Sequence, residues 1–146
     1  MNILKTFLPS IFLSVSLLGC ANPPGWKPFS PPPEAYERWR KAGADHIQIQ
    51  AALLECGLPA PFSGTKFFKD VPYKESLELY ARTTLCMDKS GFELLPGLSV
   101  YCEAIPSLKS CRPENSSLIP SRSVERRLNS AFCKDPIYAK DKVCQP

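Results

Sequence analysis

The stretch 74–89, KESLELYARTTLCMDK, carries the clearest helical pattern in the chain and sets the expected fold class. Its apolar residues recur three or four positions apart, so they share one face of an α-helix. Gly91 follows where a helix C-terminus commonly places a glycine. A helix of this length needs a core to cover its apolar face, which predicts a mainly α domain. That face consists of Leu77, Ala81 and Leu85 and, offset by one turn, of Tyr80, Thr84 and Met87.

Two further helices are predicted on the N-terminal side of this one. Residues 34–41 (EAYERWRK) follow Pro33, are rich in helix formers and stop before Gly43. Asp45 can cap the next helix, which ends at Gly57. Its expected inward residues are Ile47, Ala51 and Leu54.

The second half is expected to be rich in loops, with one more helix. Prolines and glycines interrupt 58–72, and prolines and serines interrupt 92–120, where 99–102 reads as a short strand. A fourth helix is predicted from Ser121 or Ser123 to Pro136. Its expected inward residues are Val124, Leu128, Ala131 and Phe132. With 146 residues and 44% hydrophobic composition, the chain can form one modest domain. The prediction is therefore a small, disulfide-stapled domain of about four short helices.

Six of the seven cysteines lie within the predicted domain, 30, 16, 9, 22 and 11 residues apart, with no CxxC motif. This spacing favours disulfides over zinc and indicates an oxidising compartment. Of the 15 pairings that six cysteines allow, we predict the sequential one, which joins two helix ends, closes a short loop and ties the tail to the fourth helix. A redox-active pair is the alternative, although a CxxC motif or a neighbouring histidine would be expected for it. The predicted pairs are Cys56 with Cys86, Cys102 with Cys111, and Cys133 with Cys144.

The N-terminus has the organisation of an export signal. Lys5 precedes an apolar run over 7–18, whose helical length of about 18 Å falls short of the roughly 30 Å hydrocarbon core of a bilayer. The run ends in Leu17-Leu18-Gly19-Cys20, which resembles the lipobox of bacterial lipoprotein precursors.

The lipobox resemblance implies cleavage between Gly19 and Cys20, which makes 1–19 a signal peptide with an N-terminal signal helix. It also implies a diacylglycerol and an N-acyl chain on the Cys20 thiol and amine, and no other cofactor. Removing Cys20 from the count leaves six cysteines, an even number. The alternative is an ordinary secretory signal that happens to end in a cysteine.

Residues 20–33 are interpreted as the lipidated cysteine followed by a proline-rich tether, and 34–146 as a single Cys-rich helical domain. Under the sorting pattern of enterobacterial lipoproteins, Ala21 in place of Asp indicates the outer membrane, on its periplasmic or surface face. Trp26 and Phe29 within the tether either rest on the bilayer or the domain, or serve as ligands for a partner groove.

The predicted domain carries, in order, Trp39 with Gly43, Glu55-Cys56-Gly57, Cys86-Met87 and Gly91-Phe92. In these residues it resembles a group of small, Cys-containing lipoproteins of Gram-negative bacteria that are known only as uncharacterised. The resemblance covers about 34–92 and implies no activity.

Charge is distributed unevenly. Residues 104–146 carry a net charge of +4, and 34–103 carry −2. Arg122, Arg126 and Arg127 are predicted to share the fourth helix, where they could contact phosphates of lipid headgroups or lipopolysaccharide, or an acidic partner. The alternative is a solvated face. A nucleic-acid partner is not expected for an exported, lipid-anchored chain.

The sequence offers little of the usual equipment for catalysis. His46 is the single histidine, and the chain has no HExxH motif and no glycine-rich phosphate loop. We therefore expect no enzyme and no metal site. The predicted function is a non-catalytic interaction or structural module of the cell envelope that binds an envelope protein or polymer. One alternative is a surface inhibitor or exclusion factor that blocks a hydrolase or a phage receptor through 92–120, and another is a phage lysis lipoprotein.

Overall fold

The helix predicted over 74–89 is the longest element of the structure. The computed structural model describes residues 27, 29–63, 65–98 and 101–146. In it, α2 spans Tyr73–Lys89, and Gly91 follows with a φ of +76°. The predicted signal peptide 1–19, Cys20 and the tether up to Trp26 lie outside the described residues. Pro32–Pro146 forms one compact unit.

Helix α1, His46–Glu55, begins at the predicted cap. The Asp45 carboxylate accepts from the Gln48 backbone N–H at 2.8 Å, and the Gln48 side chain accepts from the Asp45 N–H at 2.9 Å, which forms a capping box. Beyond its end, Gly57 adopts a φ of +104°. The inward face is rotated from the predicted one: Ile49, Ala52, Leu53 and Leu54 are buried, whereas Ile47 is exposed.

The prediction of a helix over 34–41 is wrong. Tyr36–Arg38 forms a single 3-10 turn, and Trp39–Arg40 forms strand β1, which pairs antiparallel with β2, Glu93–Leu94. Trp39 lies opposite Leu94 in this ladder. The extended backbone of Trp39 gives it a hydrogen-bonded partner that a local helix could not provide, and it also buries the indole.

The second half contains more and shorter elements than predicted. Helix α3, Tyr101–Ala104, occupies part of the stretch predicted as a strand, of which residues 99 and 100 lie outside the described residues. The predicted fourth helix is two helices, α4 (Val124–Leu128) and α5 (Ala131–Lys134). The helical conformation is interrupted between them because the Ser130 backbone is extended and the Ser130 hydroxyl caps α5 by accepting from the Cys133 N–H. The 3-10 turns of the domain are Tyr36–Arg38, Thr65–Phe67, Lys109–Cys111, Pro113–Leu118 and Lys142–Cys144.

The inward face predicted for the fourth helix is only partly correct. Phe132 is fully buried and Leu128 is half-buried, but Val124 and Ala131 are exposed. The expectation of a mainly α domain is confirmed.

The core has two clusters. The first lies between α1, α2 and the two strands and includes Trp39, Leu53, Met87 and Phe92. The second joins α1 to the C-terminal segment and is centred on Phe132. Its rings approach one another closely, with Phe132 and Tyr138 stacked at a centroid distance of 4.5 Å.

The disulfides follow the sequential pairing. Cys56 pairs with Cys86, Cys102 with Cys111, and Cys133 with Cys144, at Cα distances of 5.7, 5.3 and 5.3 Å. The first disulfide joins the ends of α1 and α2, and the other two close short loops in the second half.

Candidate functional site

Two neighbouring cavities open between α2, α3 and the segment that carries β1. The inner cavity has a volume of about 210 Å³ and the outer one about 440 Å³. They share four wall residues, and we call the pair the tyrosine cleft. The shared residues are Ala35, Arg38, Tyr80 and Tyr101.

A stack of three aromatic rings forms one wall of the cleft. Phe68 lies 5.4 Å from Tyr80 at an interplanar angle of 12°, and Tyr80 lies 5.4 Å from Tyr101 at 11°. Tyr80 takes part in both stacked pairs, and it lines both cavities.

The two tyrosines are neutral hydrogen-bond donors over the ordinary pH range. Burial raises the pKa of Tyr80, as does its neighbour Tyr101, while the Arg38 guanidinium opposes the shift. Burial likewise raises the pKa of Tyr101, again against Arg38. Both phenols therefore keep their protons.

Helix α3 places Tyr101 on this wall. Two sets of interactions hold the helix and the turn that follows it. One is the Cys102–Cys111 disulfide. The other is Glu78 of α2, whose carboxylate accepts from the Lys109 N–H at 2.7 Å, the Ser110 N–H at 3.1 Å and the Ser110 hydroxyl at 2.7 Å. Burial acts to raise the pKa of Glu78, but these three hydrogen bonds and the Arg82 guanidinium lower it below its ordinary range.

Thr83 lines the inner cavity and has a buried hydroxyl without a partner among the described residues. The residue is only 3% exposed, and its Oγ1 has no hydrogen-bond partner among the described residues. A buried polar atom of this kind costs free energy unless a ligand or water completes it. Thr83 lines the inner cavity together with Trp39, Leu94 and Leu98. The cleft thus combines an apolar wall with a donor and acceptor that the protein itself leaves unused.

Arg38 contributes the charge of the cleft. Its Nε donates to the Pro33 carbonyl at 3.2 Å. Within the part of the chain that the structure describes, no carboxylate lies within ion-pair distance of its guanidinium. Arg38 therefore brings a cation to the cleft that no carboxylate of the described residues pairs with.

The three predicted anion-contact arginines converge on a buried glutamate. Arg122 donates from Nε to Glu55 Oε2 at 2.7 Å. Arg127 Nε lies 3.2 Å from Glu55 Oε1, which is an ion-pair distance, although its N–H is not aligned for a hydrogen bond. Arg126 donates to the backbone carbonyls of Glu55 and Ser121.

This arrangement corrects the predicted shared helix and the predicted surface. Arg122 precedes α4, which begins at Val124, and only Arg126 and Arg127 lie on it. Arg127 is 7% exposed and also donates to the carbonyls of Val143 and Gln145, so it is a structural residue and does not contact solution anions. The burial of Arg127 depends on a tertiary contact with Glu55, which lies far away in the sequence, so no local sequence pattern indicates it.

His46 does not line the cleft. His46 is the first residue of α1, is exposed, and lies 5.3 Å from the Tyr36 ring between centroids. No group of three or more potential ligands among His, Cys, Asp and Glu is gathered around a common point in the described residues. Gly19 and Cys20 lie outside those residues.

Sequence reasoning identified Tyr80 as a core residue and missed Arg38, Thr83 and Tyr101 altogether. A helical repeat shows that Tyr80 faces inward, but it does not show which ring will stack on it.

None of the helices in the described ranges is both long enough and apolar enough to cross a bilayer. Comparison of the chain with protein-family models, with curated proteins and with solved structures finds no match.

Proposed function

We propose that the chain is a lipid-anchored protein of the cell envelope whose domain, 32–146, binds a partner in the tyrosine cleft without chemical conversion. The observation that carries this proposal is the cleft itself, whose lining combines Arg38 and Thr83 with the rings of Tyr80 and Tyr101. The cleft walls supply hydrogen-bond donors, one cation and apolar surface, and these are means of recognition.

The anchor is proposed from Leu17-Leu18-Gly19-Cys20, which follows an apolar run in the order of a lipobox. The disulfides support this proposal. The six cysteines of the domain pair with one another, so none of them requires Cys20 as a partner. Two or three acyl chains on Cys20 would give stable membrane attachment, whereas a single chain gives only marginal binding.

The location proposed is the outer membrane, on the evidence of Ala21. The proline-rich tether would hold the domain away from the bilayer, because such segments are stiff and extend by about 3.1 Å per residue. The domain would then reach an envelope protein or polymer.

Fatty-acid labelling tests the anchor. We expect cells that express the full chain to incorporate a clickable fatty acid into it, and Cys20→Ser to abolish the label. Ala21→Ser is the matched control and should be labelled like the original chain. Continued labelling of Cys20→Ser would contradict the proposed lipidation site.

Site-specific photo-crosslinking tests the cleft. A photoreactive amino acid at Leu98, on the rim of the inner cavity, should capture an envelope partner in cells, and Tyr101→Ala should abolish that capture. The control position is Ile137, which is 75% exposed and does not line the cleft. Capture from Ile137 alone would place the partner elsewhere on the domain.

A surface inhibitor or exclusion factor is the second candidate. Its support is that Leu94, Leu98 and Tyr101, all from the segment 92–120, form part of the cleft wall. Under this alternative the full chain inhibits an envelope hydrolase or blocks phage adsorption, and Tyr101→Ala relieves the effect. If the crosslinked partner is instead a structural envelope component, the first candidate stands.

A further inference from the structure

The charge of the tyrosine cleft favours a negatively charged ligand. Arg38 is the one charged residue that lines either cavity within the described ranges, and Asp and Glu are absent from both walls. The Nε of Arg38 is taken by the Pro33 carbonyl, which leaves the terminal nitrogens of the guanidinium for a ligand. A guanidinium with two such nitrogens matches a carboxylate, which can accept two parallel hydrogen bonds.

Neutral groups around Arg38 strengthen the preference for an anionic or carbonyl-bearing ligand. Tyr80 and Tyr101 line both cavities, and their neutral phenol groups can donate to an oxygen of a ligand. Thr83 lines the inner cavity, and its buried hydroxyl, which has no partner among the described residues, would donate to a carbonyl or carboxylate oxygen that reaches it. A cationic ligand would find no compensating charge on these walls.

The shape of the cleft favours an extended ligand with an apolar end. The inner cavity, about 210 Å³, is bounded by Trp39, Leu94 and Leu98, which suit one apolar side chain. The outer cavity, about 440 Å³, continues past Arg38 towards Phe68 and Tyr73, and Tyr73 is 78% exposed. A short acid would leave this outer cavity unused, whereas a peptide backbone could run along it. Extended peptides are commonly recognised in aromatic-lined grooves and through their terminal carboxylates.

We infer that the tyrosine cleft binds the C-terminal end of an extended peptide, with the terminal carboxylate on Arg38, an apolar last side chain in the inner cavity and a backbone oxygen on the Thr83 hydroxyl. This inference rests on the proposed binding function and adds the chemical class of the ligand. A free small carboxylic acid is the competing source of the same chemistry.

Fluorescence polarisation with matched peptides tests the inference on the full chain purified in detergent. The probes are pentapeptides labelled at the N-terminus, of sequence Ser-Gly-Pro-Ala-X with X as Leu, Phe or Lys, each made as the free acid and as the C-terminal amide. We expect the Leu and Phe acids to bind, and their amides to bind about tenfold more weakly or worse, because the amide loses a charge-assisted pair. The Lys acid should bind more weakly than both apolar acids.

Variants of Arg38 assign the carboxylate contact. Arg38→Gln should lower the affinity for the Leu acid to that for the Leu amide, so that the difference between the two probes disappears. Arg40→Gln is the matched control. Its guanidinium is exposed and pairs with Glu93 at 2.9 Å outside the cleft, so both probes should bind this variant as they bind the original chain.

Variants of Thr83 separate binding from folding. Thr83→Val removes an Oγ1 that has no partner in the free protein, so Tm should stay equal or rise. The affinity for the Leu acid should nevertheless fall severalfold, and Thr83→Ser should restore it. A merely structural role for Thr83 would leave the peptide affinity unchanged.

Three results would overturn the inference. The first is equal binding of the acids and the amides, which would remove the carboxylate from recognition. The second is the absence of binding by any of the probes. The third is binding of N-acetyl-leucine as tight as that of the pentapeptide, which would assign the cleft to a small carboxylic acid.

The failure of this inference can be told apart from the failure of the proposed function. Crosslinking at Leu98 in cells without any peptide binding would leave a binding module with another ligand. Peptide binding without crosslinking at Leu98 would leave the peptide chemistry intact and count against the proposed envelope partner.

Discussion

Segments 101–118 and 123–146 are built from similar parts and are attached to the helical core in different ways. Each contains one short disulfide loop, with cysteines 9 and 11 residues apart respectively. Each is fixed to a helix of the core by one glutamate, Glu78 of α2 for the first segment and Glu55 of α1, which pairs with Arg127, for the second. The two segments differ in the kind of group that each glutamate binds.

Glu78 binds backbone N–H groups, whereas Glu55 binds arginines. The first segment buries little apolar surface beyond Leu108, which is 5% exposed. The second buries Phe132 completely and Val143 almost completely, and covers the Glu55 carboxylate with Arg127. Apolar burial is the dominant favourable term in folding. We conclude that 123–146 is part of the folding core, and that 101–118 is an attached wall of the cleft that can loosen while the core persists.

The largest difference between the segments is expected for Phe132→Ala. Phe132 is fully buried and stacks on Tyr138, so truncation should lower the free energy of unfolding by about 3 to 5 kcal/mol. Leu108→Ala is the counterpart in the first segment and should cost about 2 kcal/mol, at the low end of such core substitutions. Urea unfolding followed by circular dichroism measures both. An equal loss in the two variants would contradict the division into core and attached wall.

Substituting the two glutamates is expected to produce the next largest contrast. Glu55→Gln keeps the shape of the side chain but leaves the buried Arg127 without its counter-charge, which should cost about 3 kcal/mol. Glu78→Gln weakens hydrogen bonds from backbone and hydroxyl donors and should cost about 1 kcal/mol. The same urea experiment measures both values. A larger cost for Glu78→Gln would show that 101–118 belongs to the folding core.

Removing each disulfide tests where the constraint acts. Chain entropy alone predicts similar losses of about 2 to 3 kcal/mol for loops of such similar length. We expect the double variant Cys133→Ala/Cys144→Ala to lose this stability in the global unfolding transition. Cys102→Ala/Cys111→Ala should instead weaken hydrogen-exchange protection mainly in 101–118 and shift the global midpoint less. A matching shift of the global midpoint in both variants would contradict local loosening.

Local signals in the sequence were sufficient for the two long helices. Asp45 supplies a cap, and Gly57 and Gly91 both adopt the positive φ that glycine permits at a helix end. These features depend on neighbours within a few residues, and the sequence displays them directly. The ends of α1 and α2 were therefore predictable.

Partners that are distant in sequence explain the wrong predictions. Trp39 was assigned to a helix from its neighbours, but its strand exists because Leu94 lies opposite it. The cleft depends on Arg38, Thr83 and Tyr101 meeting in space, and no periodicity records such a meeting. Ser130 is a different case. Its capping signal was present, but the apolar spacing from Leu128 to Phe132 also fits one continuous helix, and that pattern hid the break.

The smallest expected effect is a loosening of the first segment on acidification. The Lys109 and Ser110 N–H groups and the Ser110 hydroxyl donate to Glu78, and together with Arg82 they outweigh its burial and lower its pKa. A carboxyl whose folded pKa is depressed contributes stability above its unfolded pKa, about 4.3 for glutamate, and loses that contribution as the pH falls through the folded pKa. The loosening should therefore occur below about pH 4.3.

Backbone amide NMR shifts of Lys109 and Ser110 measure this titration. Both shifts should titrate with a midpoint below the ordinary glutamate range and should become flat in Glu78→Gln. The Cys133 amide of the second segment is the internal control, because it donates to the Ser130 hydroxyl and to no carboxylate. Its shift should change much less over the same range, although Asp135, whose pKa Lys66 lowers, titrates nearby. If the Cys133 amide moved together with those of Lys109 and Ser110, acid would be loosening both segments at once, and the cleft wall would not be separable from the core.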